Sequence, residues 1–153
     1  MAVKMTTPIS VIDRAIAQAI QEAKRKVVRM LAYLGEKCII EARDRSQEES
    51  WYDQTHNLRG SIGYVVVMEG RIVSMSDFKQ VKNGTQGPVE GKNLARKLAG
   101  SYKTGFALIV VAGMHYAAYV EAMENKVVLT SAELLAKREL PDMMRRLRTQ
   151  IAT

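Results

Sequence analysis

Residues 61–78 read "SIGYVVVMEGRIVSMSDF". The stretch divides at Glu69-Gly70. Before that point, Ile62, Tyr64, Val66 and Met68 fall on one side of an extended chain, and Val65 and Val67 fall on the other. The spacing predicts a β-hairpin with "SIGYVVVM" and "RIVSMSDF" as its strands and Glu69-Gly70 at its turn. A strand that is apolar on both faces calls for cover on both sides of the sheet. The fold therefore needs helices, and the flanking sequence supplies them.

Upstream, apolar residues recur at Ile12, Ile16, Ile20, Ala23, Val27, Leu31, Leu34 and Cys38. Steps of three and four keep them on one helical face. Arg14, Gln21, Lys24, Arg25 and Glu36 occupy the other. Thr7 is placed to cap this helix with Pro8 at its first position, and Ser10 with Asp13 offers a second start. The pattern lasts to Arg43, which makes a rod about 50 Å long. A compact domain of 153 residues is only about 40 Å across. The helix is thus expected either to break near Gly35 or to overhang the domain, and an overhanging apolar face needs a partner.

Downstream, "KNGTQGPVEGKN" (82–93) reads as a glycine-rich loop, followed by a short helix in "NLARKLAGSY". "GFALIVVAG" (105–113) is the most hydrophobic strand and is expected at the sheet centre. "MHYAAYVEAMEN" reads as a short helix and "KVVLT" as a further strand. Ser131 with Glu133 opens a last helix, in which Pro141 is expected to make a kink or a second start. The chain reads as one α+β domain over 1–153. It has a long helix at 8–43, a β-rich core with a mostly antiparallel sheet and short helices at 61–130, and a C-terminal helix at 131–150.

Apolar residues make up 47% of the chain and charged residues 25%, as in ordinary globular proteins. No apolar run approaches the roughly 20 residues that span a bilayer, so no membrane role is expected. "MAVKMTTPIS" lacks a secretory h-region. The single cysteine, Cys38, lies in the apolar stripe and reads as a core residue. The net charge of +7 points to acidic partners or nucleic acid, with basic clusters at "AKRK" (23–26) and "MRRLR" (144–148) on helices.

The segment "WYDQTHNLRGSIGYVVV" (51–67) has the residue types of a catalytic site. Asp53, His56 and Ser61 crowd into nine residues without a G-x-S-x-G elbow, which argues for architecture. Thr55 or Asp53 then caps a short helical turn, Leu58 and Ile62 point inward, and Arg59 pairs with a neighbouring carboxylate or carbonyl. A small hydrolase built on His56 is the weakest reading. Lys92-Asn93 does not complete a phosphate-binding loop, and two histidines with one cysteine give no metal-ligand spacing. No cofactor and no metal are expected. His115 reads as a packed strand-end histidine. Tyr116 and Tyr119, followed by Glu121, put two rings on one side of a helix, for a core or for an interface.

Two short motifs carry a resemblance. Residues Thr55 to Ile62 and Tyr116 to Glu121 resemble the T-G-x-L-R-x-S-I and Y-A-x-Y-V-E segments of small tail-component or neck proteins of tailed bacteriophages, closest to those of Bacteroidales phages and prophages. The family has glycine where His56 stands, and an aromatic with Gly-Thr where Ala122, Met123, Glu124 and Asn125 follow. The resemblance covers about residues 10–150. It implies a small β-sheet or sandwich flanked by helices, and a non-enzymatic virion protein assembled in the host cytoplasm. Such proteins form a ring (hexamer or dodecamer) at the head–tail junction or the top of the tail. Portal-adaptor or tail-tube proteins are the implied neighbours, and DNA passes without sequence recognition, so few basic residues are expected in the channel. Thr55, Leu58, Arg59, Ile62, Tyr116, Tyr119 and Glu121 are the implied interface or structural motif. The alternative is a basic nucleic-acid-binding module of a mobile element.

Overall fold

The structure is a computed structural model that describes residues 1–4, 6–43, 57–114 and 129–152. The architecture is α+β. Helix α1 spans Ile9–Arg43, a one-turn helix α2 spans Asn57–Gly60, and strands β1 (Ile62–Met68) and β2 (Arg71–Met75) follow. Helix α3 (Gln86–Ala99), strand β3 (Phe106–Ala112) and helix α4 (Thr130–Ala152) complete the order.

The hairpin forms where the sequence places it. Met68 pairs with Arg71, and Glu69 and Gly70 both take positive φ, 50° and 81°, as a two-residue turn of the favoured hand requires. Val73 is an extra residue on β2, because Val66 pairs with Ser74 and Val67 with Ile72. Beyond β2 the ladder continues through a side chain. The Tyr64 amide donates to Ser76 Oγ at 2.8 Å, and the Ser76 amide donates to the Tyr64 carbonyl at 2.9 Å.

The sheet order is β2-β1-β3, antiparallel throughout. Strand β1, not the more hydrophobic β3, is therefore the central strand among the described residues. β1 is also the better buried of the two, since β3 is exposed at Phe106 and half-buried at Ala107, Leu108 and Val110. The described strands form one sheet, not a sandwich. β2 and β3 run parallel on either side of β1, with α3 crossing between them as in a split β-α-β unit.

Cover on both faces is borne out. Ile62, Tyr64 and Val66 pack with Leu31, Leu34, Cys38, Ile39 and Ala42 of α1 and Ala132 of α4. Val65 and Val67 pack with Phe78, with Ala95 and Ala99 of α3, and with Ile109 and Val111. Cys38 is a core residue, as its place in the stripe predicts. Burial pushes its thiol pKa up, and Sγ lies 3.6 Å from the Ala132 carbonyl.

Helix α1 runs unbroken through Gly35. A Cβ there would sit 2.6 Å from the Tyr64 ring, so this glycine lets the helix approach the sheet. The helix overhangs instead: Ile9, Val11, Ile16 and Ile20 stand exposed, and packing against the core begins at Val27. Pro8 is the cap and not the first helical residue, since its carbonyl accepts from the Ile12 amide at 3.4 Å. Residues 86–93 are helix and not loop, and the loop is confined to 82–85. Gly87 and Gly91 serve close packing, because a Cβ on either would strike the Asn57 or Ser61 carbonyl. The β-rich segment thus contains a 14-residue helix. Thr130 begins α4 and does not end a strand, and α4 continues through Pro141 without a second start.

Candidate functional site

Of the opening motif, the described part begins at Asn57. The chain makes one helical turn, and this turn ties four elements together. The Asn57 side-chain oxygen accepts from the amides of Gln86 and Gly87 at 3.1 and 3.0 Å, so it caps α3 from a distant segment. Leu58 is 1% exposed and Ile62 is fully buried, so both point inward as the sequence predicts. Arg59 donates from Nη1 to the Arg43 carbonyl at the end of α1. Arg43 in turn donates to the carbonyls of Ile62 and Asp77. A carbonyl is thus a partner of Arg59, and carbonyls are one of the two classes expected.

Ser61 is fully buried and its hydroxyl donates to the Leu58 carbonyl at 2.7 Å. Water and substrate cannot reach it, so it is no nucleophile in this fold. Thr55, Asp53, His56, His115, Tyr116, Tyr119 and Glu121 lie outside the described residues. Among the described residues, no group of three His, Cys, Asp or Glu side chains is placed to hold a metal ion. No described helix is long and apolar enough to cross a membrane.

No family model, curated protein or solved structure matches the chain.

Two surface features remain after the junction is assigned to architecture. The first is the overhang of α1, where Ile9, Val11, Ile16 and Ile20 are all about half exposed or more. The second is a groove of about 380 Å³ between α1 and α4. Met30, Tyr33, Met143 and Leu147 contribute its apolar lining, and Lys26, Arg29, Lys37 and Arg146 contribute its cations. Lys37 forms an ion pair with Glu139, and Lys26 donates to the Gln150 carbonyl at 3.0 Å. The basic clusters at 23–26 and 144–148 both lie on helices, as expected. Sequence reasoning missed Asn57 as a cap and Gly87 and Gly91 as contact points. The N-x-x-G run inside the motif was visible, but its partner lies 29 residues away.

Proposed function

We propose that the chain is a non-enzymatic virion protein of a tailed bacteriophage, assembled as a ring at the head–tail junction or the top of the tail. The overhang of α1 carries this reading. A free monomer gains nothing from an apolar stripe that its own fold leaves bare, whereas a subunit of a ring buries it against the next copy. A repeated head-to-tail contact that closes by rotation is the interface of a ring. The resemblance of Leu58, Arg59, Ser61 and Ile62 to the phage motif adds to this reading.

Cryo-EM of intact particles from a host carrying the element tests the proposal. A closed ring of this chain around the DNA channel, with α1 against its neighbour, is the expected result. Particles lacking the chain, or carrying it elsewhere, reject it.

The groove between α1 and α4 favours a second reading, a basic nucleic-acid-binding module. Four cations around an exposed Tyr33 resemble a strand-binding surface with a stacking platform. Gel shifts at several salt concentrations separate the two readings, since tight binding with a steep salt slope belongs to the module.

A further inference from the structure

The groove between α1 and α4 has the form of a seat for a third helix. On α1, Lys26, Met30, Tyr33 and Lys37 line it, and on α4, Glu139, Met143, Arg146 and Gln150 do. Both sets step by four, three and four residues, so each lies within about 60° on its helix. The contacts at the two ends set an antiparallel course. Lys26 Nζ donates to the Gln150 carbonyl at 3.0 Å, and Lys37 pairs with Glu139. From one polar contact to the other the groove runs about 16 Å, or three helical turns. Between them Met30, Tyr33, Met143 and Leu147 make an apolar floor. Two helices that turn such a seam outward are completed by a third with apolar anchors at i, i+4 and i+7. Methionines suit the seat, because their unbranched side chains re-pack around what enters.

Charge decides which kind of helix fits. Arg29 and Arg146 line the groove near its Lys26 end and have no ion-pair partner among the described residues. At the other end Glu139 offsets the charge of Lys37. An entering helix thus meets two guanidinium groups at one end, and guanidinium groups take carboxylates in paired hydrogen bonds. A second copy supplies few carboxylates. The exposed stripe of α1 from Ile9 to Ile20 carries Asp13 alone, with Arg14 beside it. A nucleic-acid strand fits less well, because the apolar floor offers nothing to a phosphate. The Tyr33 ring also has the Lys37 ammonium 5.8 Å from its centre already.

We infer that this groove docks an acidic amphipathic helix of another protein, about three turns long. Its apolar anchors sit over Met30, Tyr33 and Met143, and its carboxylates meet Arg29 and Arg146. The inference stands on the geometry of the helix pair and not on the virion reading.

Fluorescence anisotropy with the purified full chain tests it. The probe is a labelled 14-residue peptide with leucines at steps of four and three and four glutamates grouped at one end. A second peptide has glutamines in those four places, and a third has lysines. At physiological salt the glutamate peptide is expected to bind at least tenfold more tightly than the glutamine one. Tyr33 is 61% exposed, so Tyr33→Asp leaves the fold intact and is expected to weaken binding at least tenfold. The double variant Arg29→Glu, Arg146→Glu is expected to prefer the lysine peptide over the glutamate one at least tenfold. Equal binding of the glutamate and glutamine peptides overturns the inference, as does binding that neither variant changes. A 14-nucleotide thymidylate strand bound more tightly than the glutamate peptide makes the groove a nucleic-acid surface and overturns it too. So does a wild-type oligomer, seen by light scattering, that Tyr33→Asp returns to 17.1 kDa, since the groove then holds a second copy.

Discussion

Asn57 shows how a single side chain can join segments 29 residues apart. The first amides of a helix have no partner within it, and Asn57 satisfies two of those of α3 from outside. Asn57→Ala is expected to lower stability by about 1–2 kcal/mol in a urea titration, while Asn57→Asp, which keeps the accepting oxygen, is expected to stay within about 0.5 kcal/mol of the wild type. Tyr64 is the other residue with a measurable signature. It is 4% exposed, and its hydroxyl donates to Glu36 Oε1 at 3.1 Å. Burial first, and then the hydrogen bond and charge of Glu36, push its pKa up to about 12. The unfolded chain releases this proton near pH 10. The folded state thus holds the proton more tightly, so this contribution is complete below pH 10 and is lost as pH rises from 10 to 12. Tyr64→Phe is expected to cost about 1 kcal/mol at pH 7 and to fall less steeply over that alkaline window, read by denaturation at stepped pH. The inward direction of Leu58 and Ile62 was legible from the strand pattern. The cap was not, because a single sequence does not show which distant helix start an Asn reaches.

At the scale of elements, α1 is two structures in one rod. Its last 13 residues build the core with β1, Val27, Val28 and Met30 pack partly against that core, and Ile9, Val11, Ile16 and Ile20 stand exposed. Leu34→Ala is therefore expected to cost about 2–5 kcal/mol by opening a cavity under Tyr64 and Ile62. Ile16→Asp, measured at low protein concentration, is expected to change unfolding by no more than about 0.5 kcal/mol. Similar losses for the two would mean that the overhang packs within its own chain. The long helix and the hairpin were legible because their periods are unambiguous over many residues. The start of α3 was not. Gly84, Gly87 and Gly91 with Pro88 look like loop chemistry, yet Gly87 and Gly91 stand where the helix passes within contact of the Asn57 and Ser61 carbonyls. The same residue type signals a turn or a close approach, and only the partner surface tells them apart. Strand β3 was misplaced because its apolar run does not set its place: among the described residues it is an edge strand, half-buried over much of its length, while β1 is buried almost throughout.

For the whole molecule, the sign and placement of charge separate a virion ring from a nucleic-acid module. The net charge is +7, and the groove between α1 and α4 gathers four of the cations. Their engagement is partial. Lys37 is paired with Glu139 and Lys26 with the Gln150 carbonyl, so Arg29 and Arg146 carry most of what the groove offers a phosphate. Two to four phosphate contacts correspond to a slope of log K against log salt between about −2 and −4. That is enough for non-specific attraction and too little for a firm grip. If the chain lines a channel that DNA must traverse, weak binding is also what function requires, since each lasting contact would retard the passing duplex. The expected outcome is a duplex dissociation constant weaker than about 10 µM at physiological salt, indifferent to sequence, with the slope falling by about 1 in Arg29→Ala and in Arg146→Ala. Submicromolar binding at the same salt, or discrimination between sequences, would make the groove a recognition surface and the chain a nucleic-acid-binding module.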